Sequence, residues 1–139
     1  MKTNIIIFGG DGDLSLKKIF PALFKRIVDK QISEFCRITV VSKSEYTTDT
    51  FFDVLELNLK KYVSDITTEQ FLLIKKMVLY LKVDLLKSEE YKLIRNSFKE
   101  TEFEQTLFYF STPSSIFGEI SEFLFKNRII TDTSKVILE

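Results

Sequence analysis

Histidine and tryptophan are absent from this 139-residue sequence, and cysteine occurs once, at Cys36. Without histidine, Ser-His-Asp and Cys-His catalysis and histidine-ligated metal centres are closed to the chain. A general base would have to be Asp, Glu, Lys or Tyr. One cysteine leaves no internal disulfide and fits a reducing cytoplasm. Proline is scarce at two residues and glycine at four, and no Pro/Gly linker, low-complexity tract or internal repeat divides the chain. Net charge is missing too: 20 Lys and Arg balance 20 Asp and Glu. No long-range field therefore draws the chain to nucleic acid or an anionic membrane. No apolar run approaches the roughly 18 residues of a membrane span, and the stretch before Asp11 is too short for a signal peptide. The expectation is a cytoplasmic protein with no metal, nucleic-acid or membrane partner.

What is present is core material. The sequence is 45% hydrophobic and 29% charged, with 14 phenylalanines, the composition of an ordinary globular domain. Short apolar runs predict strands over residues 5–8, 37–41, 77–82, 107–111 and 135–138. Between them, apolar residues recur at helical spacing over 14–28, 50–63, 67–76, 88–99 and 113–127. The first of these carries Leu16, Ile19, Phe20, Leu23, Phe24 and Ile27 on one face. Thr67 and Gln70 form a capping-box pattern, and Thr112 precedes Pro113 as an N-cap before a first-turn proline. Alternating strands and helices mean βαβ units with right-handed crossovers. The fold class is α/β: a Rossmann-like doubly wound parallel sheet, one domain over 1–139.

Three of the four glycines, Gly9, Gly10 and Gly12, fall in the stretch NIIIFGGDGDL, where the first strand must turn into the first helix. That is the phosphate-binding position of such a fold. Gly9-x-x-Gly12-x-x-Ser15 is a variant of the dinucleotide fingerprint, with small Ser15 where close helix–strand packing is needed. An ordinary turn could use the same glycines; the strand before and helix after favour the phosphate reading. No G-x-x-x-x-G-K-[ST] loop and no Tyr-x-x-x-Lys pair can be written in this chain, which disfavours a P-loop and a short-chain dehydrogenase. Asp13 opens the helix, where a carboxylate caps free N–H groups and suits the helix dipole. Asp11 lies inside the loop, where its charge opposes a pyrophosphate by about 1 kcal/mol.

The longer stretch FGGDGDLSLKKIFPALF resembles the opening of glucose-6-phosphate dehydrogenases, strand–GASGDLA–(K/R)K–(L/I)–x–P–AL. Gly9, Gly12, Asp13, Leu14, Lys17, Lys18, Pro21, Ala22 and Leu23 fall on that pattern. RITVVSKSEYT, LYLKVDLLKSEEY, LFYFSTPSSIF and KVILE resemble further family segments, in the same order and spacing. The resemblance implies that residues 9–16 (Gly9, Gly10, Asp11, Gly12, Asp13, Leu14, Ser15, Leu16) hold the coenzyme pyrophosphate. It puts Lys43 on the arginine that receives the 2′-phosphate of NADP, in agreement with the rule that a cation there favours NADP and an acid NAD. Lysine lacks the planar fork of arginine and grips less firmly. Asp84 and Leu85 fall beside the adenosine half, Ser111, Thr112 and Pro113 along the nicotinamide half, and Phe117 on its aromatic wall.

Departures from the pattern bear on the same site: Asp11 for a small Ser or Thr, Leu16 for Lys, Val83 for Gly, and Ser114 for a second Pro. Each weakens the expected grip on coenzyme. Glu139 falls on the glutamate of the family's E-K-P segment. The implied second domain, with its R-x-D-H-Y-L-G-K segment, its His-Asp base and most subunit contacts, lies beyond that point. The expectation is the NADP-binding half of a glucose-6-phosphate dehydrogenase, with NAD possible, no catalytic residue of its own, and glucose 6-phosphate as a partner only if a second domain is supplied. The alternatives are a stand-alone nucleotide-binding or subunit-interaction module and a decayed remnant.

Overall fold

A computed structural model describes residues 2–99, 101–132 and 134–138; Glu139 lies outside them. Five strands, β1 (Thr3–Phe8), β2 (Arg37–Ser42), β3 (Val78–Lys82), β4 (Gln105–Phe110) and β5 (Ser134–Leu138), form one sheet in the order β3-β2-β1-β4-β5. Every pairing is parallel. Helices α1 (Phe20–Val28), α2 (Thr48–Tyr62), α3 (Thr68–Met77), α4 (Lys92–Asn96) and α5 (Phe117–Lys126) make the crossovers.

The central strand explains the layering. β1 is buried on both faces, as its near-continuous apolar run requires. Ile7 faces one core with Phe20, Phe24, Leu55 and Ile74, beneath α1, α2 and α3. Its neighbours Ile6 and Phe8 face the other, with Phe108, Phe110, Ile94, Ile120 and Leu124, beneath α4 and α5. Phe8 stands edge-on to Phe110 at 5.3 Å and stacks near Phe108 at 6.2 Å; such pairs add roughly 0.5–1.5 kcal/mol beyond burial. Helices on both faces make the sheet doubly wound. At the edge, β5 leaves Val136 at 45% and Leu138 at 58% exposure.

Three predicted helices begin or run differently. The first is not uniform: Ser15–Ile19 is a π-turn in which Phe20 N–H reaches back to Ser15 O, and regular α-helix follows. Pro21 has no N–H to donate, so the ladder loses a rung at this point. The stretch predicted over 88–99 is a 3₁₀ turn, Ser88–Tyr91, followed by the short α4. Thr112 does not cap a helix beginning at Pro113. Pro113 is extended with ψ 140°, a 3₁₀ turn occupies Ser114–Ile116, and α5 begins at Phe117. Conversely α2 starts earlier than its apolar periodicity suggests, because Thr47 and Thr50 cap each other reciprocally. The Thr67–Gln70 capping box is present as read. Among the described residues, no helix is long and apolar enough to cross a membrane.

Candidate functional site

Backbone hydrogen bonds join the loops past β1 to β4 along one edge. Gly9 N–H donates to Val41 O at 2.8 Å, Val83 N–H to Ser42 O at 2.8 Å, and Ser111 N–H to Phe8 O at 2.9 Å. Each bond extends a sheet ladder beyond its strand, so four loops leave the sheet side by side. The glycine turn, Lys43, the Asp84–Leu85 segment and residues 111–113 thus share the carboxyl edge. The strand order reverses between β1 and β4, and open parallel sheets bind ligands at that switch point.

The three glycines have different reasons to be there. Gly9 has φ +76°, and a Cβ on it would stand 2.5 Å from Ser111 O. A Cβ on Gly10 would stand 2.7 Å from Val40 Cγ1, and Gly10 is buried. Close packing of the chain against β2 and β4 therefore demands both, before any ligand is considered. Gly12 is exposed and meets only Gly9 O, at 3.3 Å. Its N–H closes the turn on Gly9 O at 3.0 Å, and its carbonyl accepts Leu16 N–H at 3.0 Å.

Ser15 is fully buried, and its hydroxyl bridges Gly9 O at 3.2 Å and Ser111 Oγ at 2.9 Å. A small side chain is what lets the helix close onto β1 and β4 here. Leu16 turns the other way, into the first core at 8% exposure. With its N–H also committed to Gly12, Leu16 offers a ligand neither side chain nor donor. Leu14 is half-buried and Asp13 exposed. No side-chain bond caps the helix start; Asp13 instead pairs loosely with Lys17 at 3.9 Å, a contact worth well under 1 kcal/mol at the surface.

Asp11 corrects its sequence reading most. Its carboxylate accepts a hydrogen bond from the Ser44 hydroxyl, on the loop past β2, so it ties two loops together rather than only opposing charge in its own. Beneath them the Tyr80 hydroxyl donates to Ser44 O at 2.8 Å. Burial pushes the Tyr80 phenol up to about 12; its Ser42 hydrogen bond works against this, and the Asp11 charge adds to it. Lys43, between Ser42 and Ser44, is exposed.

The remaining positions flank this centre. Asp84 Oδ1 accepts Leu86 N–H at 3.0 Å, and Leu85 O accepts the Tyr91 hydroxyl at 2.8 Å. Val83 is fully buried in the second core, so its side chain fills hydrophobic space beneath the edge. Thr112 is half-buried and Pro113 exposed. Phe117 packs on Phe110 at 5.5 Å, a wall that is also core. Sequence reasoning missed Ser44 and Tyr80, because periodicity carries no signal for bonds between segments 33 or more residues apart.

The turn meets the demands of a dinucleotide pyrophosphate. It has a left-handed first glycine, an exposed second glycine with no side chain in the way, and a small buried residue where helix and strand close. Sheet order, turn and position together define a parallel α/β domain of the dinucleotide-binding class. The sequence model of the family described as "Glucose-6-phosphate dehydrogenase, NAD binding domain" matches residues 6–139. The chain therefore belongs to the glucose-6-phosphate dehydrogenase family.

Its relatives include glucose-6-phosphate 1-dehydrogenases of Borreliella burgdorferi (33% identical, 98% of this chain, 28% of the relative) and Cyberlindnera jadinii (30%, 99% and 28%). The crystal structure of glucose-6-phosphate 1-dehydrogenase from Mycobacterium avium shares the fold, with TM-score 0.89 at 23% identity over 99% of this chain and 29% of that one. A glucose-6-phosphate dehydrogenase in complex with its substrate glucose-6-phosphate aligns with TM-score 0.81 at 27% identity, over 99% and 29%. The chain spans under a third of the length of these proteins.

Proposed function

We propose that residues 1–139 form the NADP-binding domain of a cytoplasmic glucose-6-phosphate 1-dehydrogenase acting in the pentose phosphate pathway. The observation that carries this reading is the joined carboxyl edge, with exposed Gly12 at the switch point between β1 and β4. Gly12 and its turn hold the pyrophosphate, with Asp13 and Leu14 at its rim. Lys43 receives the 2′-phosphate. Asp84 and Leu85 border the adenosine, while Ser111, Thr112 and Pro113 line the nicotinamide half backed by Phe117. When bound, NADP supplies the hydride acceptor for C1 of glucose 6-phosphate, giving 6-phosphogluconolactone. This chain's residues bind and orient; the sugar site and the base belong to further sequence of the kind its relatives carry.

Calorimetric titration of the purified chain with NADP, NAD and 2′,5′-ADP tests the reading. All three bind, and Lys43→Ala weakens NADP and 2′,5′-ADP by about five- to tenfold, a loss of roughly 1 kcal/mol, while sparing NAD. Adding glucose 6-phosphate to chain and NADP gives no NADPH absorbance. Absence of binding by all three overturns the proposal and leaves the glycines as a structural turn.

A further inference from the structure

Two charges of opposite sign meet at the loop past β2 with a bearing on one ligand atom. Lys43 projects from it, and the Asp11 carboxylate is fastened to the adjacent residue by the Ser44 hydroxyl. Ser44 is itself held from below by Tyr80. The other charges on this loop and its neighbour strand, Glu45 and Lys82, pair with each other, which leaves Asp11 and Lys43 in opposition. Dinucleotide sites read the ribose 2′ position here: an acid accepts the 2′-hydroxyl of NAD, and a cation receives the 2′-phosphate of NADP. In this chain the cation comes from the loop past β2 and the acid from the glycine turn.

We propose that Asp11, positioned by Ser44, is a specificity-determining residue that offsets Lys43 and moves coenzyme choice toward NAD. The inference rests on the coenzyme reading above. A carboxylate fixed at this end repels a 2′-phosphate and accepts a hydrogen bond from a 2′-hydroxyl, whereas repulsion of the pyrophosphate, common to both coenzymes, cancels from their ratio.

The test is calorimetric titration of wild type, Asp11→Asn, Asp11→Ser and Ser44→Ala with NAD, NADP, 5′-ADP and 2′,5′-ADP. Asn keeps an acceptor for Ser44, and circular dichroism checks that each variant is folded. Both Asp11 variants raise the NADP-to-NAD affinity ratio about fivefold, the size expected of one partly solvated charge a few ångströms away. The ratio of 2′,5′-ADP to 5′-ADP rises in step. Ser44→Ala, which keeps the charge but frees it, gives a smaller rise. The gain shrinks in 1 M salt, where screening length falls to about 3 Å. Equal shifts for both coenzymes, or no shift, overturn the role of Asp11 and leave coenzyme binding standing. Failure of wild type and variants to bind either coenzyme overturns both.

Discussion

At Gly9 the backbone turns with φ +76° directly against the Ser111 carbonyl, while three residues on Gly12 stands in the open. This contrast separates a glycine that packing demands from one that packing leaves open and that the proposed function assigns to the pyrophosphate. Gly9→Ala puts a Cβ within 2.5 Å of a backbone oxygen and also pays left-handed strain, so it costs about 3 kcal/mol of stability. Gly12→Ala meets only Gly9 O at 3.3 Å, so it costs less than about 1 kcal/mol yet weakens NADP binding. Thermal melts of both variants, with coenzyme titration of Gly12→Ala, check the pair. If the two melt alike, the packing account of Gly9 is wrong. The glycines were legible in the sequence as a turn; the division of labour among them was not, because it depends on Ser111 and Val40, which only the folded sheet brings near.

Among the elements, β-branched and aromatic runs gave all five strands within two residues, since buried parallel strands write their burial directly into composition. Helix starts were less legible. Thr67-x-x-Gln70 announces itself, but Thr47-x-x-Thr50 has threonine where the pattern expects Glu or Gln, and only its geometry shows the reciprocal bonds. Pro113 reads as a first-turn proline, yet its ψ of 140° keeps it outside the helix. The caps therefore rank in a testable order. Thr47→Ala and Thr67→Ala each lose about 1 kcal/mol in urea unfolding. Thr112→Ala, whose hydroxyl reaches only Pro113 O, at 3.5 Å, among the described residues, changes stability by less than half that. A Thr112 effect as large as the other two contradicts this placement of the start of α5.

The whole molecule is two cores sharing one sheet, and each contains a buried tyrosine that titrates late. Tyr80 lies in the first core and Tyr91 in the second. Burial raises both phenols, Tyr80 to about 12 with Asp11 adding to the shift, and Tyr91 further, with Asp84 adding. In the unfolded chain both titrate near their ordinary value of 10.0. Below pH 10 both states are protonated, and the stability held by the neutral phenols is fully present. As pH rises beyond 10, the unfolded chain releases protons that the fold retains, so unfolding is progressively favoured; for Tyr80 this loss runs from pH 10 to about 12. The melting temperature should be level from pH 8 to 9.5 with respect to these groups and fall steeply above pH 10. Tyr80→Phe removes the hydroxyl bond to Ser44 and lowers stability by about 1 kcal/mol at pH 8, yet it flattens the alkaline fall, as does Tyr91→Phe on the opposite face. Because both cores grip the same central strand, far-UV and near-UV signals should fall together in wild type and in either variant. An alkaline fall as steep in both variants as in wild type removes the tyrosines as its cause, and separate melting of the two signals removes the shared strand as the link between the cores.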